Sequence, residues 1–223
     1  MTQPVDVLLF DVYGTLFDIE GHTWAPPDVV ATMRAKQLQS TWLLTAMGQY
    51  RDFREVTEQA IVYAADLHRL GAVSVRAVME EQALIAPFRD VEPALARLAP
   101  ACRLGILSNG DPASLAALLC AAGLGHRFDW VISVDEIEVY KPAPAVYAHA
   151  LKRTGADQER LLFVSSNAWD AAGAAAAGLR VAWVNRQGRP FHEVGGEPEV
   201  VVDDMPALVD YVDARQRAAS AAR

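Results

Sequence analysis

Short apolar runs alternate with longer amphipathic segments over most of the chain, and this pattern predicts strands that alternate with helices. The strand-like runs lie at residues 5–10, 104–107, 131–134, 161–164, 181–184 and 200–202. The helical patterns between them lie at residues 91–98, 112–122, 144–153 and 168–177. Continuous apolar strands separated by helices of this length form parallel sheets that are covered on both faces. The pattern therefore predicts an α/β fold.

Residues 18–90 break this alternation, because they carry helical patterns and no convincing strand. Asp28 is a candidate N-cap for a first helix that runs to about Met47. A second helix has one apolar stripe and ends near Gly71, and a third covers residues 75–85. We therefore predict a helical domain at residues 18–90, inserted into a core domain of residues 1–17 and 91–223. The last ten residues, ARQRAASAAR, are small and polar and are predicted to fray.

Composition restricts the class of protein and its partners. Of the 223 residues, 52% are hydrophobic and 22% are charged, as in ordinary globular domains. The net charge of −8 argues against nucleic acid as a main partner. No apolar run reaches the roughly 18 residues of a membrane span, and the first residues lack signal-peptide features. Cys102 and Cys120 have no metal-binding spacing and suit a reducing compartment, so we predict a cytoplasmic protein.

Polar side chains follow four of the predicted strands. They are Asp11, Tyr13, Gly14 and Thr15; Ser108, Asn109 and Gly110; Lys141; and Ser165, Ser166, Asn167 and Asp170. Because ligands of parallel sheets bind beyond the carboxyl ends of the strands, we expect these clusters to meet in one crevice. Each cluster alone could be a turn, a helix cap or a surface cation. Their coincidence at successive strand ends favours a functional site.

The residue types in this crevice restrict its chemistry. The sequence has no nucleophile elbow, no Walker loop and no HExxH motif, and its five histidines are scattered. Asp11 is the best nucleophile available, since carboxylates form covalent esters in enzymes. Lys141 can hold charge near Asp11, while Ser108 and backbone N–H groups can bind an anionic substrate.

The segments FDVYGTLFD, LSNG, VYKP and SSNAWD resemble, in order and spacing, the four motifs of the haloacid dehalogenase superfamily. This resemblance implies a Rossmann-like parallel-sheet core with an inserted all-helical cap domain. Many members are Mg2+-dependent phosphatases, with a second Asp two residues after the nucleophile and further acids at the fourth motif. This chain has Tyr13 and Asn167 at those places. A phosphatase is therefore the weaker alternative, and a carboxylate-binding module without turnover is another.

The chain is most similar to the L-2-haloacid dehalogenases, for which SSNAWD is close to a signature. The similarity covers most of the chain, including the cap segment RAKQLQSTWLLTAMGQYRDF. It implies hydrolysis of short L-2-haloacids to 2-hydroxy acids through an Asp11 ester, with inversion and without a metal or organic cofactor. The implied partners are a halogenated carboxylate and a halide ion, and the resemblance also implies a homodimer.

The resemblance also assigns individual roles. Catalytic positions are Asp11, Thr15, Lys141, Ser165, Asn167 and Asp170. Substrate-contacting positions are Tyr13, Arg34, Leu38, Phe53, Ser108, Asn109, Tyr147 and Trp169. Among these, Arg34 and Asn109 are implied to receive the halide, and Ser108 the substrate carboxylate. Asp170 is the candidate for activating or positioning the water.

For two cap residues, Arg34 and Phe53, the sequence allows a structural role as well as a functional one. The cap sequence also departs from the pattern of the subfamily. Arg34 interrupts an apolar helix face, which suits either an anion site or a side chain that reaches to water. Phe53 lies on a regular apolar stripe and could simply pack in the core. Met33 stands where a Trp is expected, and the connection between Asp18 and Arg34 is shorter than usual. These departures leave substrate size and halide preference undecided.

Overall fold

Six strands form one parallel sheet in the computed structural model, which describes residues 3–19 and 24–221. The strands are β1 (Val7–Phe10), β2 (Arg103–Ser108), β3 (Trp130–Ser133), β4 (Leu161–Ser165), β5 (Arg180–Val184) and β6 (Val200–Val202). Their order is β3-β2-β1-β4-β5-β6, and every neighbouring pair is parallel. The predicted α/β fold is confirmed, and each predicted strand is present. β1 lies at the centre of the sheet.

The helices cover both faces of this sheet. Within the described residues they are α1 (Pro27–Ala46), α2 (Phe53–Leu67), α3 (Val75–Gln82), α4 (Val91–Leu98), α5 (Pro112–Ala121), α6 (Pro144–Thr154), α7 (Ala168–Ala176) and α8 (Met205–Ala221). Side chains of β1 alternate between the two faces: Leu8 and Phe10 join one apolar cluster, and Val7 and Leu9 join the other. The central strand is therefore buried on both sides, which explains its continuous apolar sequence.

Two predicted helix features differ from the structure. Helix α1 has Pro26 at its N-cap, so Asp28 lies in the first turn and favours the helix dipole instead of capping it. The C-terminal segment is also helical, through Ala221, where fraying was predicted. Buried side chains on the first half of α8, including Leu208 and Val212, join a core cluster and anchor it.

The inserted helices have an apolar cluster of their own, which includes Val29, Met33, Ile61 and Val78. Phe53, at the start of α2, instead joins the cluster on one face of the sheet. The insert therefore has a small core and is also attached to the main one. On this ground we propose that residues 18–90 form a cap domain over the carboxyl end of β1.

Candidate active site

The Asp11 carboxylate follows β1 directly and is held by three side chains. Its Oδ2 atom accepts hydrogen bonds from Thr15 Oγ1 at 2.9 Å and from Asn167 Nδ2 at 2.8 Å. Its Oδ1 atom lies 3.1 Å from Lys141 Nζ. Only 6% of Asp11 is exposed to solvent, so these charge-assisted contacts fix the orientation of the carboxylate. Three of the predicted strand-end clusters thus meet at one carboxylate.

Lys141 is fully buried between two acids, Asp11 and Asp170, and its Nζ lies 3.0 Å from Asp170 Oδ2. Its backbone N–H donates to Asn109 Oδ1 at 3.1 Å, so the loop after β2 positions it. Burial lowers the pKa of Lys141, but Asp11 and Asp170 outweigh burial and raise the pKa above its usual value. Lys141 is therefore an ammonium ion at neutral pH.

Asp170, in the first turn of α7, is fully buried and accepts three side-chain hydrogen bonds. Besides Lys141, the donors are Ser165 Oγ at 3.1 Å and Tyr147 Oη at 2.7 Å. Burial raises the pKa of Asp170, and this effect exceeds the lowering by Lys141 and Tyr147. A carboxyl group with a raised pKa is better suited to accept a proton near neutral pH than an ordinary aspartate.

The contacts of Tyr147 and Asn167 add to what the sequence predicts. Tyr147 is fully buried, with its hydroxyl on Asp170 and its ring centroid 5.7 Å from that of Phe163, and its contact with substrate stays a prediction. It therefore holds Asp170 in place. Asn167 occupies the N-cap position of α7, yet its side chain caps no backbone N–H. Its amide donates instead to Asp11 and, at 3.0 Å, to Tyr13 O.

Arg34 stands where two cavities, of about 640 Å³ and 610 Å³, share their lining. Leu38 lines both cavities with it. Trp169 lines the first cavity, while Tyr13 and Phe53 line the second. The structure therefore places Arg34 and Leu38 between two adjoining cavities, with Trp169 on the wall of one and Phe53 on the wall of the other.

Phe53 combines the two roles considered from the sequence. Its side chain is only 6% exposed, and its ring stacks on Tyr13 with centroids 5.9 Å apart. It packs in the core and also presents one side to the cavity beside Arg34.

The Arg34 guanidinium interacts electrostatically with the Asp11 carboxylate. Burial lowers the pKa of Arg34, while the nearby Asp11 carboxylate and Tyr13 oppose this change. Arginine nevertheless remains charged at neutral pH, because its ordinary pKa lies so far above neutrality. A permanent cation on the cavity wall thus interacts electrostatically with Asp11.

Ser108 and Asn109 form the turn after β2. Ser108 is fully buried, and its Oγ accepts a hydrogen bond from Gly110 N at 3.0 Å. Within the described part of the chain, the Nδ2 group of Asn109 has no recorded hydrogen-bond partner, whereas its Oδ1 is used by Lys141. Contacts of Ser108 with a substrate carboxylate and of Asn109 with a halide remain predictions.

Comparison with known proteins agrees with this geometry. Residues 5–178 match the family described as haloacid dehalogenase-like hydrolases. The chain belongs to this family.

Individual relatives show which members of the family this hydrolase is similar to. (S)-2-haloacid dehalogenase 2 of Pseudomonas sp. (strain CBS-3) is 38% identical in an alignment that covers 95% of this chain and 99% of the relative. The crystal structure of an L-2-haloacid dehalogenase matches with a TM-score of 0.89 and 34% identity, covering 95% of this chain and 100% of that one. These matches confirm the resemblance to L-2-haloacid dehalogenases.

A further similar structure contains a covalently bound ligand. It is the L-2-haloacid dehalogenase of Xanthobacter autotrophicus with chloropropionic acid covalently bound. Its TM-score is 0.85 at 32% identity, and the match covers 94% of this chain and 98% of that one.

Sequence reasoning about this hydrolase missed several residues around Arg34. Gln37 and Thr57 are buried on α1 and α2 and connect to Arg34 through hydrogen bonds. Gln37 follows Arg34 by three positions, so helical spacing could have identified it. Arg189 lines both cavities, and its backbone N–H and C=O are both bonded to the Asn185 side chain. It lies in the irregular segment between β5 and β6, where periodicity carries no signal.

Two features are absent from the described parts of this hydrolase. Residues 3–19 and 24–221 contain no group of three or more His, Cys, Asp or Glu side chains arranged to hold a metal ion. In the same ranges, no helix has the length and apolar character required to cross a membrane.

Proposed function

We propose that this hydrolase converts short-chain L-2-haloacids to 2-hydroxy acids and halide through an ester on Asp11. The observation that carries the proposal is the way the Asp11 carboxylate is held. A neutral amide, Asn167, and a buried ammonium, Lys141, contact its two oxygens, and Asn167 also lines a cavity that Arg34 lines. Within residues 3–19 and 24–221, no group of three acidic or other metal-binding side chains surrounds this carboxylate, and a carboxylate held in this way suits direct attack on carbon. No metal or organic cofactor takes part in the proposed reaction.

In the first step, Asp11 Oδ1 attacks the carbon that bears the halogen. Thr15 and Asn167 occupy both lone pairs of Oδ2, whereas Oδ1 accepts only from Lys141 among the described donors. A C–O bond forms as the carbon–halogen bond breaks, and the halide leaves with the bonding electrons. In-line attack inverts the configuration at carbon. Arg34 and Asn109 receive the halide where negative charge develops.

Binding prepares this displacement. Ser108 and nearby backbone donors are proposed to hold the substrate carboxylate, which makes the attack effectively intramolecular. Leu38 and Trp169, both on the cavity wall, exclude water and so strengthen the contact between Arg34 and the departing halide.

In the second step, water attacks the carbonyl carbon of the Asp11 ester. The C–O bond between that carbonyl carbon and the ester oxygen breaks, which releases the 2-hydroxy acid and restores the carboxylate. Asp170 is proposed to position or deprotonate this water, consistent with its raised pKa. Water attack places negative charge on Oδ2, the carbonyl oxygen of the ester, where Thr15 and Asn167 donate hydrogen bonds. Lys141, which contacts Oδ1, stabilises the alkoxide oxygen that departs with the product and takes up a proton.

Chloride release in the presence of EDTA tests this function. L-2-chloropropionate should release chloride, and its D enantiomer should serve as an unreactive control. A phosphate ester supplied with Mg2+ tests the phosphatase alternative. Phosphate release without chloride release would contradict dehalogenation, and ligand binding without either product would identify a binding module.

Replacing Asn167 by Asp is expected to reduce chloride release about a hundredfold, as for loss of one donor at a developing charge. The substitution removes the amide donor to Asp11 Oδ2 and adds a like charge beside the nucleophile. Steady-state rates of chloride release measure the effect. Gln39→Glu, at an exposed position on α1, makes the same change from amide to acid away from the site. Equal rates in both variants would show that the neutrality of Asn167 is unimportant.

We further propose that the protein is a cytoplasmic homodimer. Large apolar side chains of α1 and α2, and of Met47 directly after α1, remain exposed; Leu43, Met47, Val62 and Leu67 are 47–59% exposed. Such a surface is suited to a two-fold contact between cap domains. Sedimentation equilibrium should give twice the chain mass of 24.2 kDa, and a concentration-independent monomer would contradict the dimer.

The free thiols of Cys102 and Cys120 agree with the proposed cytoplasmic location, because the cytoplasm is a reducing compartment. Cell fractionation tests this location.

A further inference from the structure

A chain of hydrogen bonds runs from Arg34 into the cap. Arg34 Nη1 donates to Gln37 Oε1, and Gln37 Nε2 donates to Thr57 Oγ1 at 2.5 Å. Thr57 Oγ1 in turn donates to the Phe53 carbonyl at 2.6 Å. Gln37 and Thr57 are 3% and 2% exposed, so water does not compete for these bonds. The chain joins α1 to α2 and ends on the backbone of a residue that lines the cavity.

The Thr57 hydroxyl decides which end of the Gln37 amide faces Arg34. A hydroxyl has one hydrogen, and here that hydrogen goes to the Phe53 carbonyl. Thr57 can therefore only accept a hydrogen bond from Gln37, which must present its NH2 group to Thr57. The carbonyl oxygen of Gln37 is then directed at the guanidinium. In the flipped amide, an NH2 group would face Arg34, and two donors would oppose each other.

We propose that Gln37 and Thr57 are positioning residues that set the Arg34 guanidinium for the departing halide. This inference rests on the proposed function, in which Arg34 is the halide ligand. Arginine has a long side chain with large rotamer entropy. A bond at Nη1 fixes the plane of the guanidinium, and its other N–H groups have no hydrogen-bond partner among residues 3–19 and 24–221. The chain thereby orients the cation before negative charge develops, so that little reorganisation is needed during the reaction.

The matched variants Thr57→Val and Thr57→Ser distinguish the contribution of the Thr57 hydroxyl group from that of its methyl packing. Valine keeps the shape and removes the acceptor for Gln37, whereas serine keeps the acceptor and removes a methyl group. We expect Thr57→Val to weaken inhibition by chloride roughly tenfold, the scale for losing a hydrogen bond that serves a charged group. Its kcat should fall more than its KM rises, because Arg34 acts on the transition state. The ratio of the bromide release rate to the chloride release rate should also increase, because chloride is the poorer leaving group and its departure depends more on stabilisation by Arg34.

Thr57→Ser should keep inhibition by chloride, kcat and the bromide-to-chloride ratio close to those of the unaltered protein. Thermal unfolding and circular dichroism verify that both variants fold, and Gln37→Leu provides a second break in the same chain. Equal behaviour of the valine variant, the serine variant and the unaltered protein would overturn the positioning role. Equal losses in the two Thr57 variants would also overturn it, because packing would then be the cause.

A direct halide-binding measurement separates this inference from the proposed function. If the unaltered protein releases no halide from L-2-chloropropionate, dehalogenation is wrong, and line broadening of chloride NMR signals decides the role of the chain. Broadening by the unaltered protein that is lost in Thr57→Val and kept in Thr57→Ser supports positioning of Arg34. Absence of that difference contradicts it, whatever the activity.

Discussion

Replacing Asp11 by Asn is expected to lower chloride release from L-2-chloropropionate about ten-thousandfold or more, the scale seen when a nucleophile is removed. An amide is a poor nucleophile and cannot form the ester on which both steps depend. Asparagine has the same size as aspartate, so the substitution removes the reactive charge without changing the volume of the side chain. Thr15, Asn167 and Lys141 all donate to position 11, and the single amide oxygen can accept from only one side of this set. Chloride release under saturating substrate measures the effect.

Asp66→Asn is the matched control for this variant. Asp66 is exposed on α2, and the substitution makes the same change from acid to amide away from the site. Its rate should equal that of the unaltered protein. An Asp11→Asn variant that retains more than roughly a tenth of the activity would exclude Asp11 as the nucleophile.

Replacing Lys141 by Met is expected to cost about 3–5 kcal/mol of unfolding free energy at neutral pH, as when one partner of a buried ion pair is removed. The substitution leaves Asp11 and Asp170, 6% and 0% exposed, without the cation that lies between them. Urea unfolding at neutral pH measures the loss. Lys152→Met makes the same chemical change at an exposed position of α6 and should leave the unfolding free energy nearly unchanged.

The deficit of the Lys141→Met variant should shrink as pH falls. Burial already raises the pKa of Asp170, and Lys141 is one of the groups that oppose this rise. Without Lys141, the folded chain binds a proton at Asp170 more tightly than the unfolded chain, whose aspartates titrate near pH 3.9. The variant therefore gains stability relative to the unaltered protein as pH falls through the raised pKa. A deficit that is constant or larger at acidic pH would contradict the proposed electrostatic cause.

The parts of the fold that depend on local pattern could be predicted from the sequence. The run at residues 161–164 is apolar because β4 is buried on both faces, and the pattern changes where the chain turns toward Asn167. The end of the chain could not be predicted in this way. Its last residues are small and polar, and α8 is held by apolar side chains earlier in the helix, such as Leu208. The helix thus continues to Ala221, beyond its buried apolar side chains.

The site shows a similar division. Asp11, Lys141 and Asn167 are predictable because parallel strands deliver their carboxyl ends to one edge. The partner of each side chain is a tertiary property that sequence spacing does not contain. Tyr147, for example, is fully buried against Asp170, across a separation of 23 residues. Gln37 has an ordinary helical position, and only the contact with Thr57 on another helix gives it a specific role.

A single turnover in water enriched in heavy oxygen tests the proposed Asp11 ester most directly. With protein in excess over L-2-chloropropionate, the 2-hydroxy acid should carry ordinary oxygen that came from Asp11. The heavy oxygen should appear in the peptide that contains Asp11, because water attacks the carbonyl carbon of the ester. Heavy oxygen in the hydroxyl group of the first product, with an unlabelled Asp11 peptide, would contradict the ester and show that water attacks the substrate directly.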